Sequence, residues 1–489
     1  MTAAVRESVG TWFWRRTFED VQALFAEGHG EEGGADDPLT ATVFRGLSRQ
    51  ALAAPGRVIG DGPLVSTLLH FGYGLNRVEL GPHAVWPYHR TVASARCFHP
   101  IEVYVWIADD SEVPAGGYHF DVAHHSLVRL RTGAPPAELG TPGAVTVVAA
   151  ARFRKTAFRY RDYAYRIAAQ EAGLTIGNLL LVGAALGLEG VVRHRFDDDA
   201  VNRVFGLDGE EETAFAILSL GAPVPVRAEP LEPIAPEPLE LNASPAAHWA
   251  GLLAVDRASR LGPEPVESLA PNDFHLPVPG GEPVVLPAAR VADLASALRV
   301  RDSGGRMFGP AKRPTTAAEL GSALRDALSP LESDHTGGVL APLVDCHVLA
   351  QHVVDVPPGL YRLTPGMRLV PEEPGTVPWR RVIGMFCDRT PSVDAARAAA
   401  VVLLTVDREA AERALGARGY RISHQEAGIV AQRISVAAAA AGLSARITNG
   451  YDCEVVRAAL GHDPARVAVF ALLLGRRAPS AQYEPLLVW

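Results

Sequence analysis

A nine-residue segment, Tyr165 to Gly173 (YRIAAQEAG), returns 255 positions later as Tyr420 to Gly428 (YRISHQEAG). The same offset carries Gly187 onto Gly442, Phe196-Asp197 onto Tyr451-Asp452 and Val201 onto Val456. A register held that long marks a duplicated domain. The fold then has to accommodate two copies of one unit, and the positions at which the copies disagree carry the functional information. With 489 residues, 48% of them apolar, there is ample material for two sizeable cores.

Charge and cysteine usage narrow the partners. A net charge of −9 over this length gives no basic footprint for a nucleic acid. Cysteines 97, 346, 387 and 453 show no paired spacing, which argues against a disulfide framework or a zinc site and suits a reducing compartment. His83, His89, His99, His119, His124 and His125 are locally dense, but no pair has metal-ligand spacing on a helix. Trp12, Phe13, Trp14, Phe18, Leu24 and Phe25 stand among charges and predict an amphipathic helix rather than a signal peptide. Every apolar run of eighteen residues is broken by polar ones, so the expectation is a cytoplasmic protein without a transmembrane helix or a membrane partner.

After Leu220-Gly221 the chain becomes rich in proline and glutamate, a composition that neither helix nor strand runs through. The expected organisation is an N-terminal helical extension at 1–40, copy one at 41–221, a linker and connector at 222–285, copy two at 286–479 and a tail at 480–489. Ile101 to Trp106 and Phe215 to Leu220 predict strands, and Tyr118 to Leu130 a hairpin. Gln170 to Leu188 is apolar nearly all round, the profile of a fully buried helix, and its counterpart Gln425 to Leu443 is packed with alanine from Ala437 to Ala441. These patterns predict an α+β fold: a mixed sheet flanked by helices, with two long helices packed across a pseudo-twofold axis.

Particular segments carry a resemblance. Copy one holds Arg90 and the run Ser94-Ala95-Arg96-Cys97-Phe98-His99-Pro100-Ile101-Glu102, then Pro114 to Tyr118, the Tyr-Arg...Glu-Ala-Gly helix and Phe196-Asp197-Asp198-Asp199. Copy two holds Arg301-Asp302-Ser303-Gly304-Gly305-Arg306-Met307-Phe308, Thr448-Asn449-Gly450-Tyr451-Asp452 and Gly475-Arg476-Arg477. On these residues the chain resembles the SagB-type dehydrogenases of the flavin-dependent nitroreductase fold, which include azoline oxidases of thiazole- and oxazole-containing peptides. It departs from them at Arg96, where that family favours glycine, and at Ala93, where it favours proline.

The resemblance implies a nitroreductase-like fold in two tandem copies, joined as an intramolecular pseudo-dimer, with FMN between them. Guanidinium forks and a hydroxyl suit a phosphate, each charged hydrogen bond contributing about 1.5 to 3 kcal/mol. Arg301, Ser303, Arg306 and Arg476 of copy two are then the phosphate arm, Asn449 and Gly450 the backbone donors near the ring, and Arg90, Ser94, Ala95 and Arg96 of copy one the opposing loop. Copy two reads Thr336-Gly337-Gly338 at its own loop, and copy one shows no arm beyond Arg45, so one working FMN site per chain is expected.

The resembling enzymes place a Lys-Tyr pair before the central helix; here those positions are Arg159 and Tyr160, and in copy two Ala414 and Leu415. A guanidinium is no base at neutral pH, whereas beside a phenol it favours the phenolate. Tyr160 is therefore the expected base, Arg159 its electrostatic partner and Lys155 the reserve. The implied activity is oxidation of thiazoline or oxazoline rings in a ribosomally made precursor peptide, with a cyclodehydratase of the same pathway as partner. The alternatives are an NAD(P)H-dependent nitro or ene reductase and a non-catalytic scaffold in a peptide-modifying complex.

Overall fold

A computed structural model describes residues 7–26, 44, 46–80, 88–108, 110, 112–229, 231, 249–262, 274–305, 308, 313–334, 338–340, 342–389 and 393–476, with backbone alone at 338–340 and 387–389. Helices α1 (Val9–Phe18) and α2 (Val21–Ala26) precede copy one. Copy one runs β1 (Arg49–Ala51), α3 (Leu64–Tyr73), the hairpin β2 (Leu75–Val78) and β3 (Tyr88–Arg90), β4 (Ile101–Ile107), β5 (Gly116–Asp121), β6 (Ser126–Arg129), β7 (Val145–Arg152), α4 (Arg154–Tyr160), α5 (Ala164–Ala185), β8 (Gly190–Arg193), α6 (Asp198–Phe205) and β9 (Glu212–Leu220). Helix α7 (Ala250–Ser259) follows. Copy two runs β10 (Val284–Val285), α8 (Leu294–Val300), β11 (Thr315–Thr316), α9 (Ala317–Leu324), the hairpin β12 (Leu331–Ser333) and β13 (Gly338–Leu340), β14 (Asp345–Ala350), β15 (Val353–Val354), β16 (Gly359–Thr364), β17 (Arg368–Pro371), α10 (Trp379–Arg389), β18 (Ala400–Asp407), α11 (Arg408–Leu415), α12 (Arg418–Ala440), β19 (Ser444–Thr448), α13 (Cys453–Leu460) and β20 (Arg466–Gly475).

The duplication is visible strand by strand. Copy one forms a sheet in the order β1-β6-β5-β4-β7-β9-β8, and copy two repeats it as β10-β17-β16-β14-β18-β20-β19. Each sheet has a register shift in the pairing of its seventh-to-ninth or eighteenth-to-twentieth strand, at Ala149/Ala150 and at Leu404/Thr405, again 255 residues apart. Asp197 and Asp452 cap α6 and α13, accepting from backbone N–H groups of the first turn, and Gly206 and Gly461 end those helices with φ of 71° and 70°. The β5 and β16 strands are displaced by a different offset, 243, at Tyr118 and Tyr361. Each of these tyrosines nevertheless donates to a proline carbonyl four residues back, Pro114 at 2.6 Å and Pro357 at 2.7 Å. Helix α10, inserted between β17 and β18, helps restore the longer offset.

The copies interlock. Hairpin β12–β13 of copy two extends the copy-one sheet, Glu332 and Ser333 pairing in parallel with Val191 and Val192 of β8. Helices α5 and α12 cross at their repeat-equivalent glycines: a Cβ on Gly173 would lie 1.9 Å from Gln425 O, and one on Gly428 2.3 Å from Gln170 O. No side chain fits there, so glycine is what permits the crossing. Phe13 of α1 packs edge-on against both Tyr165 and Tyr420, at 5.7 and 5.1 Å, which makes the predicted amphipathic helix part of the shared core. Helix α7, in the segment read as connector, is equally integrated, with Leu252 and Val255 fully buried. Among the described residues one span, Arg154–Ala185, is long and apolar enough to cross a membrane, and 83% of its most apolar stretch is buried inside the protein.

Candidate functional site

The two copies differ most in what joins the edge strand to the first helix. In copy one, twelve residues (52–63) link β1 to α3; in copy two, thirty-one (286–316) link β10 to α9 and include α8. Asp293 caps α8, accepting from Ser296 N–H at 3.0 Å, and the helix ends on Arg301. Asp302 then ties the segment to β19: its Oδ1 accepts from Ser444 Oγ at 2.9 Å and its carbonyl from Ala445 N–H at 3.4 Å. Gly304 and Gly305 turn away with φ of 82° and 74°.

Copy one reaches across to this arm. Asn76 Nδ2 donates to Leu298 O and Arg77 Nη1 to Arg301 O, both at 2.8 Å, while Arg301 Nη2 donates to Arg90 O at 3.3 Å. Arg301 and Arg90 are both buried, and Nε and Nη1 of each have no hydrogen-bond partner among the described residues. Leaving a buried donor unmet costs about 1–3 kcal/mol, and more when it is charged, so four such donors call for an acceptor-rich anion. Burial, then the neighbouring Arg77 charge, lowers the Arg301 pKa to about 10. Arg446, which sequence reasoning missed, donates to Gly305 O at 2.6 Å beside the arm. Ser303 is half-buried there. Arg476 stands at the end of β20, its guanidinium ion-paired with Glu319 of α9. Arg306 lies outside the described residues.

The loop from copy one is a tight turn. Arg96, Cys97 and His99 have φ of 52°, 56° and 48°, the left-handed region that non-glycine residues occupy at a cost. That conformation accounts for the glycine preferred at the position of Arg96, which is itself exposed. Ser94 Oγ accepts from His99 N–H at 2.8 Å, and Ala95 N–H donates to Glu171 Oε1 at 2.8 Å. Glu171 is buried, and burial raises its pKa to about 8. Next to it on α5, Gln170 exchanges amide hydrogen bonds with Asn449 and donates to Val469 O at 2.6 Å. Gly450 N–H donates to Thr448 Oγ1 at 3.0 Å.

Tyr160, at the end of α4, is half-buried and packs, as Ala95 does, against the cluster of Leu24, Tyr163 and Ile167, with Phe98 6.5 Å away ring to ring. Burial raises its pKa, and Arg96 and then Arg159 pull it down without reversing the direction. Arg159 thus pulls the Tyr160 pKa down, as expected of an electrostatic partner, while Arg96 exerts the larger pull and burial outweighs both. Lys155 is buried in an ion pair with Glu102 at 2.5 Å and also donates to His99 O at 3.3 Å.

The nitroreductase family matches residues 84–222 and 387–476, one segment in each copy. A crystal structure of an inferred nitroreductase from Anabaena variabilis superposes with a TM-score of 0.74 at 20% identity, covering 97% of this chain and 100% of that one. The chain carries the nitroreductase fold twice. A curated relative, an inferred nitroreductase of Methanocaldococcus jannaschii, is 27% identical over 124 residues, 24% of this chain and 63% of its own length. The chain thus spans less than two thirds of that relative. A chain of the E. coli microcin synthetase McbBCD complex, with truncated pro-MccB17 bound, aligns over 45% of this chain and 99% of its own at 20% identity, with a TM-score of 0.28 that carries no weight. Members of the matched family typically bind FMN.

The second nitroreductase half is closed by its own residues. His194 and Arg195 lie 255 positions before Asn449 and Gly450, and their N–H groups donate to the two carboxylate oxygens of Asp334 at 2.9 and 3.0 Å. The expected comparison of Arg45 with Arg301 is also corrected. Arg45 precedes β1 and lies outside the described residues, whereas Arg301 follows β10, and the short 52–63 link has no segment equivalent to the arm. The partnerless donors of Arg301 and Arg90 fit a flavin phosphate; among the described residues of the other half, a carboxylate occupies the corresponding backbone donors.

Proposed function

We propose that the chain is an FMN-dependent dehydrogenase with one flavin site, built from the copy-two arm and the copy-one loop, acting on azoline rings of a ribosomally made peptide. The observation that supports a flavin most directly is the pair of buried guanidiniums, Arg301 and Arg90, each with two partnerless donors. Arg301, Ser303, Arg306 and Arg476 would hold the phosphate, with Arg90 facing it from copy one. Asn449 and Gly450 would face the ring, and Ser94, Ala95 and Arg96 would cover it. When bound, FMN supplies the hydride acceptor for a two-electron oxidation. The chain's part is to orient the ring, exclude water and take one proton, for which the phenolate of Tyr160 is the candidate, with Arg96 and Arg159 stabilising that anion before it is neutralised.

Azoline as substrate rests on the resemblance of the Arg159-Tyr160 position and of the Ser94 loop. The test is intact mass of a co-expressed azoline peptide, which should fall by about 2 Da per ring as two hydrogens leave. A precursor peptide and the cyclodehydratase that forms its rings are the corresponding partners. The nitroreductase descriptions of the Anabaena and Methanocaldococcus proteins favour a second reading, NAD(P)H-dependent reduction of a nitro group. NADPH consumption that depends on a nitroaromatic, with no mass change in the peptide, would select that reading.

A further inference from the structure

Loss of the arm from copy one leaves a surface that copy two does not have. In copy two, α8 lies over the carboxyl-terminal part of α12: Ala292 N–H donates to Ala440 O at 3.0 Å, and Ser435, Val436 and Ala439 are buried beneath it. The residues 255 positions earlier are Leu180, Leu181 and Ala184; the leucines are only half-buried and the alanine is exposed. They form, with Leu188 and Pro330, the apolar floor of a groove of about 520 Å³. Glu189, Asp326 and Glu332, all exposed, stand around it, with Arg433 turned to Ser329 O at 2.5 Å.

The groove is more acidic than the equivalent surface of the flavin half. Glu332 lies 255 positions after Arg77, which braces Arg301, and Glu189 lies 255 positions before Ser444, which braces Asp302. Val191 likewise stands where the other half has Arg446. An anion is repelled here, and the occupant of the equivalent groove in copy two is a short helix, with Ala295, Ala297 and Leu298 buried. We propose that the groove binds a short amphipathic helix of a partner polypeptide, its apolar face on Leu180, Leu181 and Leu188 and its lysine or arginine residues against Glu189, Asp326 and Glu332. Shape follows from α8, and charge from the three carboxylates.

The experiment uses the full chain and a fluorescein-labelled synthetic leucine-lysine peptide with leucines at helical spacing, titrated by fluorescence anisotropy. The double variant Glu189→Lys/Glu332→Lys and the single variant Leu181→Asp should each weaken binding by at least about tenfold. Flavin content should not change, because none of the three substituted residues belongs to the arm or to the copy-one loop. A peptide of the same composition with its leucines scrambled should bind more weakly to the unmodified chain. The proposal is overturned by equal affinity in the variants, by equal affinity of the scrambled peptide, or by sedimentation showing that a second copy of the chain covers the groove. Should Leu181→Asp fail to fold, the two exposed glutamates still decide the matter, and turnover is not part of the readout.

Discussion

Gln170 and Asn449 exchange side-chain amide hydrogen bonds at 3.2 and 2.7 Å across the two copies of the repeat. Their equivalents, Gln425 and His194, meet at 2.7 Å, so the crossing helices present the same glutamine to both halves. What differs is the next layer. After Asn449, Gly450 N–H donates, among the described residues, only to the neighbouring Thr448 hydroxyl, whereas beyond His194 the carboxylate of Asp334 from the other copy caps the backbone. Symmetry is kept where the copies support each other and broken where a ligand would sit.

One FMN per chain is the first consequence. Arg301→Ala removes two partnerless charged donors, and at about 1.5 kcal/mol each the flavin should bind about 100-fold more weakly. Absorbance of released flavin after denaturation, set against protein concentration, checks the stoichiometry. A ratio near two in the unmodified chain would defeat the single-site arrangement.

Much of this was legible in the sequence, and the limits have physical causes. The 255-residue register identified the buried helices, and the Phe196-Asp197/Tyr451-Asp452 repeat proved to be a pair of helix caps. Changes of loop length hid the rest. Because β5 and β16 follow a different offset, nothing in the linear pattern revealed that Arg301 has no counterpart in the 52–63 link. Asp334 was invisible for a related reason: its partners are backbone N–H groups, which leave no mark on composition. Glu171 could have been noticed as a carboxylate in the middle of an otherwise apolar helix, a residue type rarely buried without purpose. The net direction of the Tyr160 shift depends on its burial in the folded chain, which spacing alone does not report.

The loop of copy one gives a second prediction. Ala95 donates its N–H to Glu171 and packs against the same cluster as Tyr160, so a bulky side chain there intrudes on the proposed ring-facing surface without altering the phosphate arm. Ala95→Trp should weaken FMN by about tenfold or more while the far-ultraviolet spectrum is preserved. Flavin affinity equal to that of the unmodified chain, measured by quenching titration, would remove Ala95 from the site.

Glu171 sets a pH dependence of stability. Its folded pKa is about 8 against an ordinary 4.5, raised by burial. Between those values the folded chain holds a proton that the unfolded chain has released, so stability falls as pH rises through the window, by up to about 1.4 kcal/mol per unit. Glu171→Gln keeps a carbonyl to accept from Ala95 N–H and removes the ionisation. Urea unfolding from pH 5 to 8 should therefore show a shallower decline in the variant, and parallel curves would mean that Glu171 does not titrate in this range.

The base is the remaining assignment, and the electrostatics of Tyr160 give it a signature. Burial holds the phenol neutral well into the alkaline range, with Arg96 and then Arg159 opposing that shift. If Tyr160 takes the proton, the rate of flavin reduction by an azoline peptide should climb with pH as the phenolate becomes populated. Arg96→Ala should move the climb to higher pH, and by more than Arg159→Ala does, because Arg96 exerts the larger pull. Tyr160→Phe keeps the ring that packs on the Leu24, Tyr163 and Ile167 cluster and deletes the hydroxyl. It should retain FMN, lose the alkaline climb and slow single-turnover reduction by about 100-fold, the scale of a missing general base. An unchanged single-turnover rate in Tyr160→Phe would place the base elsewhere, and the buried Lys155, already committed to Glu102, would be the next residue to replace.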